Sequence, residues 1–156
     1  MGDYVKELRK KIGHEPIVLP HAVTVVIDSS NRVLFEERKD DGYIDFPGGA
    51  VDLGEEVIDA AKRELLEETG LVADELKLFN IYSGEITKYV YFNGDVIYGV
   101  DTVYLVRKYH GELKPQKEEV SRLFFSSLEE VNGKLSPRNR QIIEELKEKL
   151  WKKYLI

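Results

Sequence analysis

The sequence predicts one mixed α/β domain. Three observations carry that prediction: apolar β-branched and aromatic runs that read as strands, a long helix-forming stretch between them, and an Asn-Gly pair joining two of the runs. At 156 residues the chain matches the size of a single domain with one substantial core, so the expected domain takes in residues 1–156. Hydrophobic residues make up 42% and charged residues 33%, the balance of a globular protein rather than a disordered one.

The elements are expected in this order. Asp3 is suited to cap a short helix (residues 3–12) that stops at Gly13, with Val5, Leu8 and Ile12 as its packed stripe. Ile17–Ile27 is β-branched and apolar, a buried strand, and Asp28–Asn31 turns the chain into a returning strand over Arg32–Arg38. Asp40–Gly42 is a loop, and Pro47-Gly48-Gly49 is expected to break any regular element there. Glu55–Thr69 lacks a helix breaker and ends at Gly70, so it reads as a helix. Glu75–Phe92 and Asp95–Val106 are rich in Tyr, Val and Ile, and Asn93-Gly94 between them is a hairpin signal. Val120–Phe125 is one more strand. Ser136 and Pro137 open a last helix, expected over residues 137–153, whose buried stripe is Ile143, Leu146, Leu150 and Tyr154.

Composition also narrows the function. The absence of cysteine excludes disulfides and thiolate zinc sites, and His14, His21 and His110 have no metal-ligand spacing. No apolar run reaches the ~20 residues that cross a bilayer, and Met1–Lys11 is too charged for a secretory leader, so a cytoplasmic protein without a membrane partner is expected. The net charge of −6, with no basic stripe, argues against a nucleic-acid partner. A phosphorylated small molecule stays compatible with that charge, because a divalent cation reverses the local sign of an acidic site.

The chemistry is concentrated between Gly49 and Leu71. On a helix, Glu64 shares a face with Glu67 and Glu68, and Arg63 reaches Glu67 four residues on. Leu65, Leu66, Val57, Ile58 and Ala61 are placed to supply the opposite, core-facing surface. Three carboxylates on one face repel one another, and a hard divalent cation such as Mg²⁺ with its oxygen ligands would resolve that repulsion. A solvated acidic face is the other reading of such a run. The glycines at either end add weight to the first: Gly48 and Gly49 permit close backbone approach, and Gly70 suits a left-handed cap.

The whole segment, Gly49, five residues, Glu55, seven residues, then Arg63-Glu64-Leu65-Leu66-Glu67-Glu68-Thr69-Gly70-Leu71, resembles the Nudix box at every defined position. Seven specified residues at ordinary frequencies make a chance match on the order of one in 10⁸ per start position. The resemblance to MutT-like Nudix hydrolases implies an α/β/α sandwich with a central mixed β-sheet and Mg²⁺-dependent cleavage of a pyrophosphate bond in a nucleoside diphosphate derivative, with Mn²⁺ able to substitute. It implies Glu64 and Glu68 as metal ligands, Glu67 as a further ligand or base, Glu55 acting through metal-bound water, and a carbonyl of Gly48 or Gly49 at the metal. Arg63 would orient Glu67. A base outside the box would fall to Glu118 or Glu119, with Glu118 preferred, although the pair also reads as exposed loop. Arg38 is placed like a phosphate-facing arginine of the family, with a surface ion pair as its other reading.

Subfamily signals outside the box are sparse. Many relatives have Trp where this chain has Ile44, and ADP-ribose hydrolases often carry proline near Ile86. Tyr89 fits loosely the tyrosine of dinucleoside polyphosphate hydrolases, though Tyr89 and Tyr91 would share a strand face and serve equally as packing. The favoured substrate is a nucleoside triphosphate, oxidised ones included, with ADP-ribose, nucleotide sugars and dinucleoside polyphosphates as alternatives and a non-catalytic nucleotide sensor as the competing class. Homodimerisation, common in the family, is left open.

Overall fold

Two sheets pack against each other, and the chain passes between them just before its long acidic helix. The computed structural model describes residues 3–151. Its elements are α1 (Asp3–Ile12), β1 (Ile17–Val26), β2 (Val33–Arg38), β3 (Ile44–Asp45), β4 (Gly48–Ala50), α2 (Val57–Thr69), β5 (Leu71–Tyr82), a 3₁₀ turn (Glu85–Thr87), β6 (Lys88–Val90), β7 (Val96–Gly111), β8 (Val120–Ser126) and α3 (Pro137–Trp151). The larger sheet is mixed, in the order β4-β1-β7-β5 with β6 also on β7, and the smaller one runs β3-β2-β8. The fold is thus the mixed α/β arrangement that the alternating strand and helix patterns predict.

The parallel pairing of β1 with β7 explains why Ala22–Ile27 is a continuous apolar run with only Thr24 interrupting it. A strand covered on both faces has no solvent side to alternate toward. Val23, Val25 and Ile27 pack with Phe35, Phe46, Val103, Ile142 and Leu146, so one face of the sheet meets the smaller sheet and α3. Ala22 packs with Ala60 and Ala61 of α2 on the other face. Each large side chain buried here stabilises the fold by roughly 1.5–3 kcal/mol.

Several local expectations needed correction. Pro47-Gly48-Gly49 does not break the sheet; Gly48–Ala50 is a short strand antiparallel to β1. Its glycine serves close approach, since a Cβ on Gly48 would lie 2.6 Å from the Ala22 carbonyl oxygen. Glu55 stands outside α2, which starts at Val57 after the cap residue Glu56. Leu66 is 51% exposed rather than in the core. The run Glu75–Phe92 is divided by the 3₁₀ turn, which Gly84 enters at φ 86°. The hairpin at Asn93-Gly94 is present, closed by Tyr91 N–H donating to the Asp95 carbonyl, and it joins β6 to β7.

Other expectations match. Asp28 accepts the backbone N–H of Ser30 and Arg32 in its turn, and Asn139 N–H donates to Ser136 Oγ at the start of α3. Val5 anchors α1 against Leu19, Ala50 and Ile97. Ile143 and Leu146 are buried as expected. The Leu150 side chain, Tyr154 and residues 152–153 of the expected helix lie outside what the structure describes. Ile44 is core, 2% exposed, so the position takes part in packing without an aromatic ring. No helix among the described residues is long and apolar enough to cross a membrane.

Candidate active site

Helix α2 carries its acidic residues on two different faces. Glu64 and Glu68 lie one turn apart on the buried side, beside Ala60, Ala61 and Leu65, and are 3% and 5% exposed. Glu67 points outward, its side chain half exposed. The solvated-face reading therefore fails for two of the three carboxylates. Gly70 ends the helix in the left-handed region (φ 80°), donating its N–H to the Leu66 carbonyl.

Arg63 organises the start of the site. Its Nε donates to Glu55 Oε2 at 2.7 Å and its Nη2 to Glu55 Oε1 at 3.0 Å, a two-point grip on one carboxylate. Nη1 donates to Glu64 Oε1 at 2.8 Å, and Nη2 to the Ala50 carbonyl at 3.0 Å. The expected contact with Glu67 exists but is the longest, at 3.3 Å. Hydrogen bonding to Arg63 holds the Glu55 carboxyl below the usual carboxylate range. Arg63 thus orients Glu55 and Glu64 more tightly than Glu67.

Gly49 sits directly against Glu64. A Cβ there would lie 2.4 Å from the carboxylate carbon, so the side chain of Glu64 occupies the space that any other residue would fill. Opposite the helix stands a residue that the sequence reading missed. Glu36, on β2, is 4% exposed and shares a cleft wall with Glu68. Burial pushes the Glu36 carboxyl up to about 8, and burial together with the Glu36 charge raises Glu68 well above its ordinary value. Glu36 Oε2 and Glu68 Oε2 are both buried without a hydrogen-bond partner. A signal for Glu36 was available: in an alternating strand it shares a face with Arg38, already a candidate.

These groups line a cleft of about 430 Å³ together with Arg38, Gly48, Tyr89, Tyr91, Glu118 and Glu119. Arg38 bonds Asp40 through Nε and Nη2, at 3.2 and 3.0 Å, and its guanidinium lies 5.5 and 5.6 Å from the ring centres of Tyr89 and Tyr91. It is therefore both cleft wall and ion-pair partner. Tyr89 donates its hydroxyl to Asp41 and meets Tyr91 edge-on, ring centres 4.8 Å apart. Glu118 and Glu119 are exposed on the rim, where the Glu119 carbonyl accepts Lys39 N–H. The structure brings every sequence candidate to one region, Glu55 and Glu67 at its edge through Arg63.

A second group, also missed, lies deeper. Arg138 of α3 donates to Asp101 at 2.9 Å, to Asp45 at 2.9 Å and to Asn139 Oδ1, while Asn139 Nδ2 donates to Asp45 and to the Ile44 carbonyl. His21 Nδ1 lies 3.2 Å from Asp101. Burial alone would raise Asp101, but His21 and Arg138 outweigh it and hold the carboxyl below its usual range.

The donor set suits a hard divalent cation: carboxylate oxygens, a backbone close by, and two buried oxygens with nothing to bond. Among the described residues no group of three or more acidic or histidine side chains is placed to hold a metal ion on its own. The carboxylates instead face one another from separate elements.

Comparison with known proteins gives this arrangement a context. A protein from Bacillus subtilis, provisionally named an 8-oxo-dGTP diphosphatase, is 49% identical over 49 residues, 31% of this chain and 33% of its own. The ADP-ribose pyrophosphatase of Methanocaldococcus jannaschii is 40% identical over 65 residues, 40% of this chain and 38% of its own. The chain thus spans little more than a third of these two relatives. The 8-oxo-dGTP diphosphatase of Haemophilus influenzae is 34% identical over 105 residues, 66% of this chain and 69% of its own. In fold the chain resembles the MutT NUDIX hydrolase of Burkholderia pseudomallei, with a TM-score of 0.71, 24% identity, and coverage of 85% and 98% of the two chains. It also resembles the NUDIX domain of Shewanella oneidensis NrtR, crystallised with ADP ribose, with a TM-score of 0.68, 20% identity, and coverage of 96% and 99%. The NUDIX domain model itself matches residues 18–146, so the chain belongs to the Nudix family.

Proposed function

We propose that the chain is a pyrophosphohydrolase that uses Mg²⁺, with Mn²⁺ able to replace it, to cleave a nucleoside diphosphate derivative as a single domain. The observation that carries the reading is the pair of buried, unpartnered carboxylate oxygens on Glu36 and Glu68 beside Glu64 and Gly49. Buried charge of one sign without compensation is costly, and a cation with a phosphate-bearing substrate would supply what is lacking.

Glu64, Glu68 and the Gly49 backbone would hold the ion, with Glu55 reaching it through water. When bound, the ion supplies positive charge against the diphosphate oxygens and acidifies water. Arg63 keeps Glu55 and Glu64 in place. A carboxylate on the cleft then takes one proton from the attacking water as its oxygen bonds phosphorus and the bridging P–O bond breaks. Glu118 is the preferred base, with Glu119 beside it and Glu67 as the alternative within the box. Arg38 and the Gly48 backbone would face the phosphates. Tyr89 and Tyr91 offer rings for a nucleobase.

Nucleoside triphosphates, oxidised ones included, are the substrates favoured here. The 8-oxo-dGTP diphosphatase of Haemophilus influenzae aligns with 66% of this chain, the ADP-ribose pyrophosphatase with 40%. The test is phosphate and pyrophosphate release across a panel of nucleoside triphosphates, ADP-ribose, nucleotide sugars and dinucleoside polyphosphates, with and without Mg²⁺. Glu68→Gln should lose at least about a hundredfold in kcat, since it removes a charge-stabilising group from the reacting centre. Binding of nucleotides without turnover of any would overturn the hydrolase reading in favour of a sensor. Full activity of Glu68→Gln would overturn the ligand assignment.

A further inference from the structure

Strand β2 is paired on both sides, with Glu36 opposite Asp45 of β3 and Leu123 of β8. The backbone at Glu36 is therefore fixed, and its side chain enters the cleft from the smaller sheet while Glu64 and Glu68 enter from α2. Glu36 lies outside the box and has no cation bonded to it. Arg38, two residues on, is engaged by Asp40, and Arg63 by Glu55, Glu64 and Glu67. What Glu36 faces is another carboxylate, Glu68, and each carries one buried oxygen without a hydrogen-bond partner. If the role were only to fill space, glutamine or leucine would fit with less penalty, because neither brings a like charge into a dry site.

We propose that Glu36 is a divalent-cation ligand supplied by the smaller sheet, so that the ion joins β2 to α2 rather than resting on the helix alone. The assignment rests on the reading of this cleft as a divalent-cation site and adds a ligand outside the box. An oxygen ligand from a doubly paired strand is held more rigidly than one from a loop, which suits the strict geometry that Mg²⁺ demands. The assignment also makes the ion part of the packing between two layers, since a ligand bound only by the folded chain stabilises it.

The test uses the full chain stripped of metal, titrated with Mn²⁺ and followed by the electron paramagnetic resonance of free Mn²⁺, with melting temperatures measured with and without Mg²⁺. Glu36→Gln should bind Mn²⁺ at least about tenfold more weakly. It should also melt no lower than wild type without metal, and gain less from Mg²⁺. Glu36→Asp should recover part of the affinity. Glu37→Gln, which removes a charge from the next residue on the opposite strand face, should stay within about twofold of wild type. Equal weakening in Glu37→Gln would overturn the assignment in favour of a long-range charge effect, and unaltered Mn²⁺ binding in Glu36→Gln would overturn it outright. Should Glu36→Gln fail to fold, Glu36→Asp decides, because a ligand shortened by one methylene must bind more weakly. A wild-type chain that binds no Mn²⁺ would overturn the cation-site reading itself along with this assignment.

Discussion

At the α2 side of the cleft, Glu36 and Glu68 press two carboxyls together and leave an oxygen of each unbonded. At the α3 side, the acidic groups have a cation between them: Asp45 and Asp101 share Arg138, Asn139 Nδ2 donates to Asp45, and His21 Nδ1 lies 3.2 Å from Asp101, although Asp101 Oδ1 also lacks a hydrogen bond. Both clusters are built on carboxylates, with Asp45 the least buried of them. They differ in whether the chain supplies the compensating charge. A cluster whose charge the chain compensates suits a role in the fold, whereas one it leaves uncompensated suits the cation proposed above.

Mutation should separate the two. Arg138→Leu removes the cation from between buried Asp101 and partly buried Asp45, and should cost about 3–5 kcal/mol of stability, measured by urea unfolding. Neutralising the other cluster with Glu36→Gln should not destabilise the metal-free protein at all. If both substitutions destabilise to the same extent, the contrast fails.

A smaller effect should appear with pH. The Glu36 carboxyl is raised from about 4.5 to about 8, so between those values the folded chain holds a proton that the unfolded chain has released. Stability without metal should therefore be greatest near the lower end of that window and fall as pH rises through about 8. The Asp101 and Glu55 carboxyls, held low, act in the opposite sense, contributing stability above their unfolded values that is lost as pH falls below the usual carboxylate range. Calorimetry in chelator against saturating Mg²⁺ should show the upper decline flattened by the ion. An equal decline in both would mean that no cation takes the place of the proton. The smallest change is expected on the aromatic wall: Tyr89→Phe gives up the bond to Asp41 and should cost about 0.5–1.5 kcal/mol in unfolding free energy, with KM changing more than kcat.

How much of this was legible in the sequence depended on whether the cause was local. The box and its helix were readable because spacing alone places Arg63, Glu64 and Glu68 on neighbouring positions, and Gly70 marks the stop. Strand β4 was hidden because Pro47-Gly48-Gly49 reads locally as a breaker; the close approach that the glycines permit, here to Ala22 and Glu64, was legible, but not that Gly48–Ala50 pairs with β1 as a strand. Leu66 looked like core and Glu68 like surface. The helix faces a carboxylate-lined cleft on one flank, so hydrophobicity there does not report burial. Glu36 and the Arg138 network depend on β2, β3, β7 and α3 coming together, and sequence periodicity gives no register between strands so far apart.

The hairpin wall has a support near the start of the chain, before the residues that the NUDIX domain model matches. Tyr89 and Tyr91 rest on a small core formed by Val5, Leu19, Ala50 and Ile97, and the hairpin is tied to the first helix through Arg9 to the Val96 carbonyl and through His14 to Asp95. The match to the NUDIX domain model begins at residue 18, after this helix. The aromatic side of the cleft thus leans on a helix that precedes the matched residues. A change in that helix would reach the aromatic wall without touching the box.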